Sequence, residues 1–310
     1  MPVHRSKLEN RPMNTPISRE YVASHVPERP ADAHKGVFGH LFIVAGSPGF
    51  TGAAFLACEG ALRSGVGLVT LGVPASLNSV MEIKTTEAMT LSLPETDRHT
   101  LSCAAIEPAV EFAERCSAVG LGPGISRQED TERFVHRFLE KTGLPAVVDA
   151  DGLNALAGNL QLLEARTAPT ILTPHPGEMS RLIGQPTANI QRDRQGCALA
   201  FAKDRNVILV LKGASTVIAS PNGDVVVNTT GGAGLACGGT GDILTGLIGG
   251  LLAQGVSPWD SAVIGVYLHG LAGDIAAEER TEWGMVAGDV VRALPAAWKH
   301  VTRDRHGTGQ

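Results

Sequence analysis

The chain lacks the marks of several large protein classes. Its five cysteines, Cys58, Cys103, Cys116, Cys197 and Cys237, are odd in number and never stand in C-x-x-C spacing. That pattern excludes a disulfide framework and a zinc-binding module, and fits a reducing, cytoplasmic compartment. Lysine and arginine total 26 against 31 aspartates and glutamates, a formal charge of −5. Without a general basic field, nucleic acid is not expected as a main partner. The polar, charged residues 1–14 offer no apolar core for a signal peptide. The longest apolar run, residues 243–253, falls well short of the roughly 20 residues that cross a bilayer. No internal repeat and no low-complexity linker is present.

What the chain does have is an ordinary globular balance, 43% hydrophobic and 18% charged over 310 residues. A chain of this length buries a sizeable core without disulfides or metals. Prolines at 2, 12, 16, 27 and 30 among many charges mark residues 1–30 as a flexible N-terminal arm, with a helix start within residues 17–24. Residues 31–303 read as one domain, and residues 304–310 as a polar tail.

Within that domain, apolar runs alternate with helical patterns. Strands are expected at residues 40–45, 68–73, 117–121, 146–149, 170–173 and 207–211. A hairpin is expected from 217–219 and 225–227, around Pro221-Asn222-Gly223. Helices are expected at 53–64, 128–141, 189–203, 243–254 and 261–278. Fully apolar strands interleaved with helices predict an α/β domain with a mostly parallel central sheet covered on both faces. Ligands of such sheets bind outside the carboxyl ends of the strands. In this chain the loops at those ends are rich in Gly, Pro, His and Asp.

The strongest of these loops ends in Gly238-Gly239-Thr240-Gly241-Asp242, where six glycines fall within residues 231–242, ahead of an apolar helix. Glycines let the backbone approach a ligand, and the free N–H groups of a helix start attract anions. Gly239, Thr240 and Gly241 therefore make a candidate anion hole for a phosphoryl group. Asp242 is a candidate base for an attacking hydroxyl, with a helix N-cap as its structural rival. No G-x-x-x-x-G-K-[ST] loop is present, so this is not a Walker A site.

Four weaker loops accompany it. Two prolines stiffen Thr173-Pro174-His175-Pro176-Gly177-Glu178, which presents His175 to a ligand and places Glu178 to cap a helix. Lys212 ends an apolar strand before Gly213, where it can pair with phosphate. Glycines 46, 49 and 52 have G-x-x-G-x-x-G spacing and no acidic residue ends the next strand, which argues against a dinucleotide-binding dehydrogenase. Gly122-Pro123-Gly124 and Asp149-Ala150-Asp151-Gly152-Leu153-Asn154 complete the set. Asp149 and Asp151 are candidate oxygen ligands for hydrated Mg²⁺, with turn chemistry as the alternative.

In this order, with Lys35-Gly36, Gly39-His40 and Leu62-Arg63-Ser64-Gly65-Val66-Gly67-Leu68-Val69 added, the motifs resemble the ADP/ATP-dependent NAD(P)H-hydrate dehydratase family. The resemblance runs over residues 34–298 and implies a ribokinase-like fold. It implies that Ala53, Gly124, His175 and Asp242 contact the hydrated nicotinamide nucleotide. Lys212, Gly213, Ala214, Ser215, Thr216 and Gly241 would contact the adenine nucleotide. It further implies Mg²⁺ with ADP or ATP as co-substrate, a homo-oligomer with a tetramer favoured, and an epimerase on a separate protein, because the residues before 30 are too few to contain one. Three positions depart from the family pattern: Gly232 for Asn, Leu235 for Met, and Cys237 for Thr or Ser.

The chemistry implied is repair of the S epimer of NADH or NADPH hydrate. Asp242 takes the proton of the C6 hydroxyl as that oxygen attacks the terminal phosphoryl group. Phosphate, a better leaving group than hydroxide, is then expelled, and ADP as donor would give AMP. The runner-up is a kinase of the same fold acting on a hydroxymethyl group of a vitamin precursor. A third reading is a nucleotide-binding sensor without turnover.

Overall fold

Branched apolar residues on both faces of a strand can be buried only if helices cover both sides of the sheet. The computed structural model, which describes residues 15–303, shows this arrangement. Ten strands form one sheet: β1 (Thr15–Pro16), β2 (His40–Val44), β3 (Leu68–Pro74), β4 (Met89–Leu93), β5 (Ala118–Leu121), β6 (Ala146–Val148), β7 (Thr170–Leu172), β8 (Ile208–Leu211), β9 (Val217–Ala219) and β10 (Val225–Val227). Their spatial order is β1-β10-β9-β8-β7-β6-β5-β2-β3-β4. The strands from β4 to β8 are parallel neighbours. β9 is antiparallel to both β8 and β10, as a hairpin requires.

Alternation along each strand splits the core into two layers. Leu41, Ile43, Val147, Ile171, Ile208 and Val210 face the helices Thr51–Arg63, Thr240–Ala253, Pro258–Arg280 and Ala287–Thr302. Phe42, Val44, Val148, Leu172, Leu209 and Leu211 face Glu129–Lys141, Ala150–Leu156, Pro176–Ile183 and Arg194–Arg205. Among the described residues no helix is long and apolar enough to cross a membrane. All five cysteines are free thiols.

Three expectations change. Residues 15–26 are not part of a free arm. Thr15 and Pro16 pair with Val226 and Val227 at the sheet edge, and Ser18 caps the helix Arg19–His25. Ile17 and Val22 are buried in the core, which anchors the segment despite its prolines and charges. Residues 1–14 and the tail at 304–310 lie outside the described residues. The single helix expected over 189–203 is two, Thr187–Arg192 and Arg194–Arg205, because Asp193 leaves helical geometry to accept the N–H of Gly196 at 2.8 Å. An Asp that can cap competes with helix continuation. Third, β4 was not anticipated; it is an edge strand whose residues are mostly part-exposed, so its apolar pattern is weak.

Strand order reverses between β2 and β5, since the chain runs outward from β2 through β3 to β4, then crosses to β5 and builds the other half. At such a switch point two carboxyl-end loops diverge and leave a crevice. Here the loop after β2 meets the loop after β5: Gly46 N–H donates to Pro123 O at 2.9 Å, and Ser47 Oγ to Gly124 O at 2.7 Å.

Candidate active site

Three adjacent parallel strands end in polar side chains, and parallel pairing brings these ends together. Asp149 follows β6, the segment 173–178 follows β7, and Lys212 follows β8. Lys212 Nζ donates to Asp149 Oδ1 at 2.7 Å and lies 3.8 Å from Glu178 Oε2. Thr245, one turn into the helix Thr240–Ala253, donates from Oγ1 to the other Asp149 oxygen at 2.8 Å. Asp149 is 1% exposed, so a buried carboxylate is matched by an ammonium and a hydroxyl. The two carboxylates around Lys212 outweigh burial and raise its proton affinity, which keeps it cationic.

The glycine-rich turn closes over this cluster. Gly239, at φ 97°, is the N-cap of the helix Thr240–Ala253, and no side chain caps it. A Cβ there would meet Leu56 Cδ1 at 2.4 Å and Ala287 Cβ at 3.1 Å, so glycine suits both the backbone angle and the close approach of the helix Thr51–Arg63. Asp242 stands three residues inside the helix, which removes the N-cap rival to a chemical role. Burial, together with the negative charge of Asp149, pushes the Asp242 carboxyl up to about 7, against the opposing pull of Lys212. Such a group gains and loses a proton near neutrality, as a general base must. A Cβ on Gly241 would lie 3.3 Å from Lys212 Nζ, so the turn rests directly on the ammonium.

His175 and Glu178 cap each other's backbone. His175 Nδ1 accepts the N–H groups of Gly177 and Glu178 at 2.9 and 3.3 Å, and Glu178 Oε2 accepts the N–H of His175 at 2.8 Å. This reciprocal capping box starts the helix Pro176–Ile183. It places the proton of a neutral His175 ring on Nε2, which is 3.5 Å from Glu178 Oε1 on a half-exposed side chain.

Ala53 and Gly124 also meet. Gly124 has φ 60°, and a Cβ there would lie 3.2 Å from Ala53 Cβ and 2.7 Å from Phe50 Cβ. The pair connects to the acidic cluster through Asp151, whose Oδ2 accepts Ser126 N–H at 3.1 Å. The segment Gly213-Ala214-Ser215 is exposed. Arg194 holds it by donating to Leu211 O at 2.9 Å, Ser215 O at 3.2 Å, and Ala214 O. Thr216 Oγ1 donates back to Gly213 O at 3.2 Å. Arg194 and Ser215 also line an open hollow of about 360 Å³ with Arg192, Val217 and Val227.

Asp149 and Asp151 do not form a ready metal cage. Both Asp149 oxygens are engaged by Lys212 and Thr245, and Asp151 accepts from Ser126 and Asn154. Among the described residues no group of three or more His, Cys, Asp or Glu side chains is placed to hold a metal ion. Sequence reasoning missed Thr245, Arg194 and His269, the last of which contacts Thr240. None lies in a glycine- or proline-rich loop, and each acts from inside a helix.

A family model described as NAD(P)H-hydrate dehydratase matches residues 41–296. The bifunctional NAD(P)H-hydrate repair enzyme Nnr of Moorella thermoacetica is 45% identical over 288 residues, covering 93% of this chain and 54% of that protein. The chain thus spans about half the length of the bifunctional relatives it matches. An ADP-dependent (S)-NAD(P)H-hydrate dehydratase of Bacillus subtilis is 34% identical over 290 residues, covering 93% of this chain and 99% of that one. A crystal structure of the ADP/ATP-dependent NAD(P)H-hydrate dehydratase from the same organism, co-crystallized with ATP/Mg²⁺, matches with a TM-score of 0.81 at 34% identity, over 94% of this chain and 100% of that one. A ribokinase-like superfamily protein from Enterococcus faecalis matches with a TM-score of 0.80 at 25% identity, over 94% and 97% of the two chains. Its sheet, its strand-end loops and these matches together make the chain a member of the NAD(P)H-hydrate dehydratase family, with a ribokinase-like fold.

Proposed function

We propose that this protein dehydrates the S epimer of NADH or NADPH hydrate at the expense of ADP or ATP. The observation that carries the reading is Asp242: a carboxyl pushed up to about 7, set in the first turn of a helix that no side chain caps and whose Gly241 lies against Lys212 and Asp149. The ionised carboxylate takes the proton of the C6 hydroxyl. That oxygen attacks the terminal phosphorus, and the bridging P–O bond breaks to release AMP from ADP, or ADP from ATP. Electron density from the ring nitrogen then breaks the C6–O bond and expels phosphate. Loss of a proton from C5 restores the dihydronicotinamide.

The chain's own groups divide this work. Backbone N–H groups of Gly239, Thr240 and Gly241 stabilise the charge growing on the transferred phosphoryl group. Lys212, held under Gly241, adds positive potential beneath it and keeps Asp242 from being more basic still. Ala53, Gly124 and the Nε2 side of His175 line the hydrate pocket. Gly213, Ala214, Ser215 and Thr216 receive the adenine nucleotide, the rigid Arg194 clamp fixing their shape. Mg²⁺, when bound with the nucleotide, would neutralise phosphate charge; Asp149 and Asp151 are already engaged by Lys212, Thr245, Ser126 and Asn154, so neither would serve as a ready ligand for it.

ADP is favoured as donor by the likeness to the Bacillus subtilis enzyme of that name. The family likeness also supports a homo-oligomer, a tetramer first. The free thiols fit a cytoplasmic setting. The deciding experiment incubates the protein with NADPH hydrate and ADP or ATP, and follows dihydronicotinamide absorbance and free phosphate. Both should rise together. A phosphorylated product that accumulates instead would point to the kinase reading, and binding without turnover to the sensor.

A further inference from the structure

His269 lies inside the helix Pro258–Arg280 and is 8% exposed, yet it is polar and points at the candidate anion hole. Its Nε2 is 2.8 Å from the carbonyl oxygen of Thr240. A carbonyl can only accept, so Nε2 carries the proton. Burial lowers the ring's proton affinity to about 4, and nearby Lys212 acts in the same direction, so His269 donates as a neutral ring.

The bond matters because of what else belongs to that peptide. The Thr240 C=O and the Gly241 N–H share one planar trans unit and point in opposite directions. A donor fixed on the carbonyl side therefore fixes the direction of the N–H. Donation to the carbonyl also polarises the unit, making the Gly241 N–H a stronger donor. The turn needs such support, since glycines at 238, 239 and 241 leave its backbone soft. Thr240 Oγ1 contributes a second hold, lying 2.9 Å from Leu235 O and 3.1 Å from Cys237 O.

We propose that His269 is a positioning residue of the phosphoryl site, which aims and strengthens the Gly241 N–H by donating from Nε2 to the Thr240 carbonyl. The inference rests on the nucleotide-dependent reading above. It does not require that the acceptor be a hydrate, because any phosphoryl group transferred at this turn would meet the same N–H.

The test compares His269→Phe, which fills the space without a donor, with His269→Gln, whose amide N–H can reach the same carbonyl. ADP and AMP affinities are measured by calorimetry, kcat and KM in the hydrate assay, and folding by thermal unfolding. His269→Phe should lower kcat about ten- to a hundredfold with KM for hydrate little changed, as the loss of a partner that orients a reacting group does. It should weaken ADP much more than AMP, which lacks the terminal phosphoryl group. His269→Gln should recover most of both. If His269→Phe does not fold, His269→Asn, too short to reach, takes its place. An unchanged ADP-to-AMP ratio in the donor-less variant, or a Gln variant no better than it, would overturn the proposal. Absence of hydrate turnover in the unmodified protein would sink the dehydratase reading while leaving the ADP-to-AMP comparison decisive for His269.

Discussion

Asp149 and Asp242 are two carboxylates at the same end of the sheet with opposite surroundings. Asp149 is sealed at the end of β6, with Lys212 on one oxygen and Thr245 on the other. Asp242 sits in a glycine-rich helix start and is disfavoured as an anion by burial and by Asp149 itself. The first is satisfied within the fold and holds two strand ends and a helix together. The second is held at a cost to its charged form, which is the condition for it to take a proton from a ligand. Chemistry is thus assigned by environment, since the two side chains are identical.

The comparison breaks most sharply at Asp242. Asp242→Asn should lower kcat about a thousandfold while ADP binding, measured by calorimetry, persists. Near-normal turnover would remove Asp242 from the mechanism. The next largest effect should be on stability: Asp149→Ala leaves the Lys212 ammonium in a pocket built for a pair and should cost about 3 kcal/mol in denaturant unfolding. If that variant is as stable as the parent, the buried pair is not a structural clamp.

A third test concerns pH. Asp242 must be ionised to act as base, so kcat should rise as pH passes through about 7. Lys212 pulls that value down, so Lys212→Gln should move the acidic limb to higher pH; a limb that stays or moves lower contradicts the assignment. The same group links to stability with the opposite sense. The folded state keeps the proton from the ordinary carboxyl range up to about 7, so its contribution to stability falls as pH rises across that window. Asp242→Asn should flatten that part of the stability profile. The smallest effect belongs to His175, where His175→Ala should lose about 1 kcal/mol as a lost cap. His175→Asn should restore stability but not hydrate affinity; recovery of both would reduce His175 to a cap.

Much of this was legible in the chain because glycine, proline and aspartate carry local geometry. Residues 238–242 announce a glycine-rich turn at a helix start, and Thr173 to Glu178 a stiff capped start of a helix. The parallel sheet followed from strands apolar on both faces. What could not be read is whatever depends on distance between loops. The Lys212–Asp149 pair spans 63 residues and the Thr245–Asp149 bond 96. No local pattern marks either. The departure at position 232 gains a physical meaning only in three dimensions: a Cβ there would lie 2.9 Å from Glu282 Oε1, so an Asn requires that carboxylate to move. Leu235 and Cys237 both turn their carbonyls to Thr240 Oγ1, a backbone contact that does not explain either side chain as a departure.

The sequence by itself determined the class of fold, the family likeness and the position of the glycine-rich turn, because periodicity and backbone permissiveness are local properties. Only the tertiary structure decided that Asp242 is not a cap, that Lys212 is shared between two carboxylates, and that His269 stands behind the turn. Proton affinity and hydrogen-bond direction depend on which charges and donors the fold brings within a few ångströms. That is settled by strand order, and strand order is written in no single stretch of the chain.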